Sequence, residues 1–277
     1  MRVATSKLLT NLFFATMVAV GFSSTTSAAP GSELLDFWDE SDDENTATID
    51  HNQWQQILDK YLISDHESGI NRFDYKAVSK EDTKLLKDYI GGLEKLDPRD
   101  YSLAEQKAYW INIYNALTVE VILDNYPVSS ITKLGGFFAF GPWDQEVSTI
   151  QGEDLTLNNI EHGILRPIWQ DNRIHYAVNC ASMGCPNLAG TAYTAENTEE
   201  ILEQAAKDYV NHERGVTFEG KKLKVSSIYH WYKVDFGDNN DSLVEHLKQY
   251  AEPELKAKLE GFDGKLTHDY DWKLNQP

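Results

Sequence analysis

From Leu103 to Leu123 a helical pattern carries apolar side chains on nearly every face: Ala108, Trp110, Ile111, Tyr114, Leu117, Val119, Val121 and Ile122. A surface helix shows a single apolar stripe, whereas one that is apolar all round has to lie inside the domain. Ser102 and Glu105 have capping-box spacing at its start, and Tyr126-Pro127 stops it. The rest of the chain must therefore wrap around this segment. Asn112 and Asn115 sit three apart on it and share a face. Buried amides left unpaired would cost ~1–3 kcal/mol each. They must be bonded, either to neighbouring backbone or to a catalytic group or substrate amide that one of them orients.

The flanking patterns are mixed. Asp50 can cap a short helix with Trp54, Ile57, Leu58 and Tyr61 as its stripe, Asn71 to Val78 reads as a strand, and Ser79 opens a helix toward Leu96. Gly135 to Pro142 is a glycine-rich aromatic loop. Trp143 to Ile150 reads as a strand with a turn at Gln151-Gly152. Thr156 can cap a helix from Leu157 to about Leu165 carrying Glu161 and His162, closed by Arg166-Pro167. Ile174 to Val178 reads as a strand. A helix to Asn211, a hairpin around Glu219-Gly220, a short aromatic helix over Ser227 to Phe236 and one or two helices from Ser242 to Glu260 follow. Lys265 to Asn275, with Tyr270 and Trp272, can close a sheet edge. No repeat or linker divides the pattern. A single α+β domain is expected over 49–277, its buried helix packed on a small, mainly antiparallel sheet.

The first 28 residues read as a secretory signal. Arg2 and Lys7 precede an apolar run from Leu8 to Phe22, too short to span a bilayer, and Thr26-Ser27-Ala28 supplies small residues for cleavage. The protein is expected to be exported, periplasmic or secreted, with no membrane span after cleavage. Residues 29–48, centred on Asp39-Glu40-Ser41-Asp42-Asp43-Glu44, read as an acidic flexible lead-in. The formal charge of −19 argues against nucleic acid as a partner, because the surface would repel it. The partner expected is an envelope-associated substrate or protein.

Both cysteines of the chain lie in Cys180-Ala181-Ser182-Met183-Gly184-Cys185-Pro186. Joined, they staple a loop, which an oxidising compartment favours and Gly184 permits. Free, Cys180 can act as a nucleophile with His175 or His162 as base, Glu161 as orienter and Asn112 or Asn115 as orienter or oxyanion donor. His175 meets Cys180 only if the chain turns after Val178, since strand residues an odd number apart face opposite sides. Arg166, Asn179 and Ser182 are candidate substrate contacts. Glu161, His162 and Arg166 should approach the loop from Asn179 to Cys185. Arg166, five residues from Glu161, should reach a different partner. The histidines have no dense ligand spacing, and no nucleotide or serine-hydrolase motif is present, so neither metal nor cofactor is expected.

Several segments together resemble the bacterial branch of the family catalogued as domain of unknown function 547. They are Ala108-Tyr109-Trp110-Ile111-Asn112-Ile113-Tyr114-Asn115-Ala116-Leu117-Thr118, Tyr126-Pro127-Val128-Ser129-Ser130-Ile131, and Ile160-Glu161-His162-Gly163-Ile164-Leu165-Arg166. Ile174 to Ser182 with Cys185-Pro186, Ala192-Tyr193-Thr194, Trp231-Tyr232 with Asp235-Phe236-Gly237, and Trp272 to Asn275 complete the set. The resemblance runs from Asp74 to Asn275 and implies a motif set rather than a reaction. Its recurrent positions include Asn112, Asn115, Glu161, His162, Arg166, His175, Cys180 and Cys185. Plant relatives behave as partner-binding proteins. The resemblance also makes a papain- or transglutaminase-like fold an expectation. Two functions follow: cysteine-dependent acyl or amide hydrolysis or transfer, or a non-catalytic binding or scaffold module with a Cys180–Cys185 disulfide.

Overall fold

The structure, a computed structural model, describes residues 31–136 and 140–277, so the expected signal segment and residues 137–139 of the glycine-rich loop lie outside the described residues. Helix α1 (Asn52–Tyr61) leads through β1 (Leu62–Ile63) and β2 (Arg72–Phe73) to α2 (Lys80–Leu93) and the long α3 (Leu103–Asp124). A hairpin of β3 (Glu146–Ile150) and β4 (Glu153–Thr156) precedes a π-helix over Asn159–Leu165, then the short helices α4 (Arg166–Trp169) and α5 (Ile174–Ala177). After the cysteine loop come α6 (Thr198–Val210), the hairpin β5 (Val216–Glu219) and β6 (Lys222–Ser226), α7 (Ile228–Trp231), α8 (Asn240–Tyr250), α9 (Pro253–Glu260) and β7 (Leu266–Asp269).

The mixed α+β architecture in one domain is as the sequence predicts, but the strands do not form one sheet. β1–β2 and β3–β4 are separate antiparallel pairs, and β5–β6–β7 is a third sheet whose β6–β7 edge is parallel. Helix α3 is the centre. Residues 105–119 are buried without a break. Ser102 Oγ accepts from Glu105 N at 3.3 Å. The glutamate does not reach back to complete the capping box; Glu105 Oε1 instead accepts from Ile49 N at 2.6 Å, tying in the chain before α1. Ser79 caps α2 through Asp82 N as expected. The core falls into two clusters, one around α1–α3 and one around β5, β6 and α8. They meet at α5, where Ile174 and Ala177 join the first and Tyr176 the second.

Two local expectations fail. Ile174–Val178 is not a strand but one helical turn, with Val178 N bonded back to Ile174 O at 3.2 Å. Three β-favouring residues, Ile174, Tyr176 and Val178, are too few to hold a strand with no edge beside them, and burial between two cores decides the conformation instead. The acidic lead-in is also not free over its middle. Trp38 is 2% exposed and meets Trp110 of α3 edge to face, ring centres 5.1 Å apart.

The reason the lead-in docks lies in the π-helix. Pro167 has no N–H, so one carbonyl of the preceding turn, at His162 in the π pattern or Gly163 in the α pattern, loses its intrahelical donor. Glu33 N donates to His162 O at 3.0 Å and Leu35 N to Gly163 O at 2.9 Å, so the lead-in serves both carbonyls. Gly163 allows the close approach, since a Cβ there would stand 2.7 Å from the Leu35 side chain. Among the described residues no helix is long and apolar enough to cross a membrane.

Docking of this segment predicts that Trp38→Ala lowers the stability to urea by about 3–5 kcal/mol, the usual cost of a large buried aromatic. A loss below ~1 kcal/mol would mean that the segment is free in solution.

Candidate functional site

The cysteine loop is held from three sides. From α3, Asn115 Nδ2 donates to Ala177 O at 2.9 Å while its Oδ1 accepts from Asn179 N at 2.8 Å. Asn112 makes the same two-handed grip on Tyr193, donating to its carbonyl at 2.8 Å and accepting from its N–H at 3.0 Å. Both amides therefore bind backbone, each spending one Nδ2 hydrogen and its Oδ1 on the grip. Asn179 clamps its own loop, donating to Pro186 O and accepting from Ala181 N, each at 2.8 Å, and so braces it. The C-terminal tail closes the third side: Met183 N donates to Lys273 O and Gly184 N to Asp271 O, both at 2.8 Å. Gly184 is required there, because a Cβ would fall 2.9 Å from Asp271 N. Ala181 sits at φ 55°, a left-handed conformation that costs a non-glycine residue free energy and that the surrounding bonds enforce.

Within this frame both cysteines are free, Cys185 buried and Cys180 half-buried, so the disulfide expected as one alternative is not formed. Ser182 Oγ donates to Tyr270 OH at 3.0 Å, and Tyr270 OH donates to Cys185 Sγ at 3.2 Å. Cys180 N donates to the same sulfur at 2.9 Å. Cys180 Sγ lies 3.0 Å from Tyr270 OH and 3.2 Å from Ser182 Oγ. Burial alone would raise the Cys185 thiol, but donation from Cys180, Tyr270 and Ser182 overrides it and brings the group down to about 7. Burial and the neighbouring Cys185 charge push Cys180 up. The two thiols form one unit that loses a first proton near neutrality and holds the second strongly.

Neither sulfur has an imidazole within hydrogen-bond distance among the described residues, so the expected Cys180–His175 or Cys180–His162 pair is not built. The turn of α5 points His175 elsewhere. Its Nε2 meets Asp235 Oδ2 at 2.6 Å, its Nδ1 lies 3.6 Å from Glu161 Oε1, and its ring stacks on Tyr232 at 4.2 Å. Burial would lower this histidine, yet the bonds to Asp235 and Glu161 outweigh burial and raise it, so it is held as an imidazolium. Arg166 reaches Asp235 as well, through Nε at 2.7 Å, which is the separate partner its position predicts. It is 5% exposed. Arg166 Nη1 stands 3.0 Å from His162 Nδ1. A guanidinium can only donate, so His162 accepts there and is neutral, in keeping with the lowering that burial imposes on it. Burial works against the charged forms of Glu161 and Asp235, but His175 and Arg166 bring each down to about 2.

Two phenols separate this ion cluster from the thiols. Tyr114 donates to Glu161 Oε2 at 3.1 Å, and Tyr232 covers His175. Burial first, then the charges of Glu161 on one side and of both cysteines on the other, push both phenols up, so they stay protonated. Glu161, His162 and Arg166 thus come to the neighbourhood of the cysteine loop without touching a sulfur. Sequence reasoning missed Tyr270, Asp235, Tyr232 and Tyr114 as parts of this centre. Tyr232 and Asp235 stand in a segment that carries the family resemblance, which was the available signal; Tyr270 had none beyond its place in the tail.

The ion cluster sets the pH dependence of stability. Glu161 and Asp235 are held below their ordinary values of 4.5 and 3.8, so their contribution is present above those values and is lost as the pH falls toward about 2. His51 and His246, which burial lowers from 6.5 to about 4, lose theirs as the pH falls through that interval. His175 has the opposite sign: raised, it contributes fully below 6.5 and less as the pH rises through its folded value. Urea midpoints are therefore expected to fall steadily from pH 6.5 to pH 3, and His175→Gln should remove the loss on the alkaline side. A flat profile across the acid range would contradict the buried charges.

No curated protein and no solved structure matches the chain. Residues 98–210 match the family described as "Protein of unknown function, DUF547". The matched stretch holds α3, the π-helix, α5 and both cysteines, so it is this part of the chain that is similar to that family.

Proposed function

We propose that the protein is a cysteine-dependent hydrolase or transferase acting on an acyl or amide bond, with the thiol pair itself supplying nucleophile and base. The observation that carries this reading is the Cys185 sulfur, which takes hydrogen bonds from Cys180 N at 2.9 Å and Tyr270 OH at 3.2 Å beside a second, half-exposed thiol. A buried thiol with such donors is available as thiolate near neutral pH, which structural cysteines in apolar surroundings are not.

In this reading Cys180 is the nucleophile, because it is the accessible sulfur, and Cys185 replaces the histidine. With one proton shared by the pair, Cys180 thiolate attacks the carbonyl carbon and the carbonyl electrons move to oxygen. Collapse of that intermediate expels the amine or alcohol, which takes the proton from Cys185. Water then adds to the thioester as Cys185 thiolate accepts its proton. The acid leaves, and the pair returns to one thiol and one thiolate. The substrate class expected from the sequence, an envelope component met by an exported protein, belongs to the same proposal and is supported by the signal-like first 28 residues. So does a papain- or transglutaminase-like kinship, supported by a buried helix beside small sheets; the missing thiol–imidazole pair counts against it.

A second reading has its own support. His175, Asn112 and Asn115 are all engaged in structural bonds, as in a binding module without chemistry.

The two are separated by intact mass after incubation of the reduced protein with activated acyl esters and thioesters. A thioester adduct on Cys180, absent in Cys180→Ser, is expected. Tyr270→Phe should slow its formation about 10–100-fold, the worth of one hydrogen bond to a charged acceptor. No adduct with any donor, or one that survives Cys180→Ser, would contradict the catalytic reading.

A further inference from the structure

Three of the described arginines have carboxylate partners: Arg99 with Asp97 at 2.7 Å, Arg166 with Asp235 at 2.7 Å and Arg173 with Asp171 at 2.8 Å. Arg72 and Arg214 have none within ion-pair distance among the described residues, although the chain has 44 acidic residues against 25 basic ones. These two also converge on one residue of the cysteine loop. Arg72 Nη1 meets the Met183 thioether and its Nη2 donates to Ser68 Oγ at 3.2 Å. Arg214 Nη1 donates to Met183 O at 3.4 Å and Nη2 to Asn187 Oδ1 at 2.7 Å. The Nε of each is buried with no hydrogen-bond partner.

Two like charges brought together and half-desolvated are unfavourable unless an anion completes them. Burial lowers Arg214; the charges of Tyr209, Cys185 and Tyr270 oppose this in part, and Arg72 adds a smaller lowering. The fold nevertheless fixes the pair. His212 Nε2 donates to Ser68 O at 2.8 Å and its Nδ1 accepts from Arg214 N at 3.1 Å, which joins the two segments through a neutral imidazole. Arg214 lines an open cleft of about 950 Å³ together with Asn71, Asn187 and His212, so solvent species reach it. The outer nitrogens rest on neutral acceptors. An oxyanion would displace these, because charge-assisted bonds are about twice as strong as neutral ones and a guanidinium fork matches two oxygens.

We propose that Arg72 and Arg214 form an oxyanion site on the flank of the cysteine loop, which takes a carboxylate or phosphate group of a small ligand entering through the cleft beside Asn187 and His212. The site stands on its own charges and geometry and does not require the thiol chemistry.

Calorimetric titration of the folded protein with inorganic phosphate and, separately, with succinate at constant ionic strength tests it. Saturable binding of either supports the site, and the anion that saturates identifies the source as phosphate or carboxylate. Binding should weaken by about tenfold or more in Arg72→Gln and Arg214→Gln and be partly kept in Arg72→Lys. Should Arg214→Gln fail to fold, the half-buried Arg72 variants carry the test. Cys180→Ser should bind as wild type, which keeps failure of this site distinct from failure of the thiol reading. No saturable heat with either anion, or equal binding in wild type and the folded glutamine variants, would overturn the proposal.

Discussion

Burying an amide without partners is unfavourable, and α3 buries two. The fold answers by passing other parts of the chain across them. Asn115 fixes the end of α5 and the entry to the cysteine loop, and Asn112 fixes Tyr193 beyond its exit. Between them Tyr114 points a phenol at Glu161 of the π-helix. Three polar positions on one buried helix, Asn112, Tyr114 and Asn115, thus set the places of three segments remote in sequence. The cysteine loop, with its left-handed Ala181 and its close pass under the tail at Gly184, is what those bonds hold in place.

The charges near this helix divide into two kinds. Glu161, Asp235, His175 and Arg166 neutralise one another, two anions against two cations, with only Asp235 partly open to solvent. Breaking such a unit by removing one partner strands a buried charge, which is far costlier than the unit's net contribution to stability. A histidine locked into it cannot accept a proton during a reaction. The thiol pair is the other kind. Its neighbours are hydroxyls and backbone N–H groups rather than fixed counter-ions, and its charge can come and go near neutral pH.

Much of the frame was legible in the sequence because it follows from local rules: the all-apolar pattern of α3, the caps at Ser79 and Ser102, the β5–β6 hairpin, and the need of both asparagines for partners. Other features depend on contacts between distant residues. Periodicity over five residues could not tell the helical turn of His175 from a strand, and the difference moves the imidazole from the thiol to Asp235. The docking of Trp38 follows from Pro167 withholding an N–H more than a hundred residues later, a dependence that an acidic composition conceals. Tyr270 reaches the sulfurs only because the tail runs beside β6 and then over the loop.

The central claim is that Cys180 and Cys185 share one negative charge near neutral pH. Ultraviolet thiolate absorbance of the reduced protein, titrated with pH, reads this directly. One thiolate is expected with a midpoint at about 7 and the second far above it. In Cys180→Ser the low midpoint should remain and the second step disappear, because the serine hydroxyl and the unchanged backbone N–H still donate to Cys185. Two thiols that titrate together near the ordinary value of 9.0 would contradict the account.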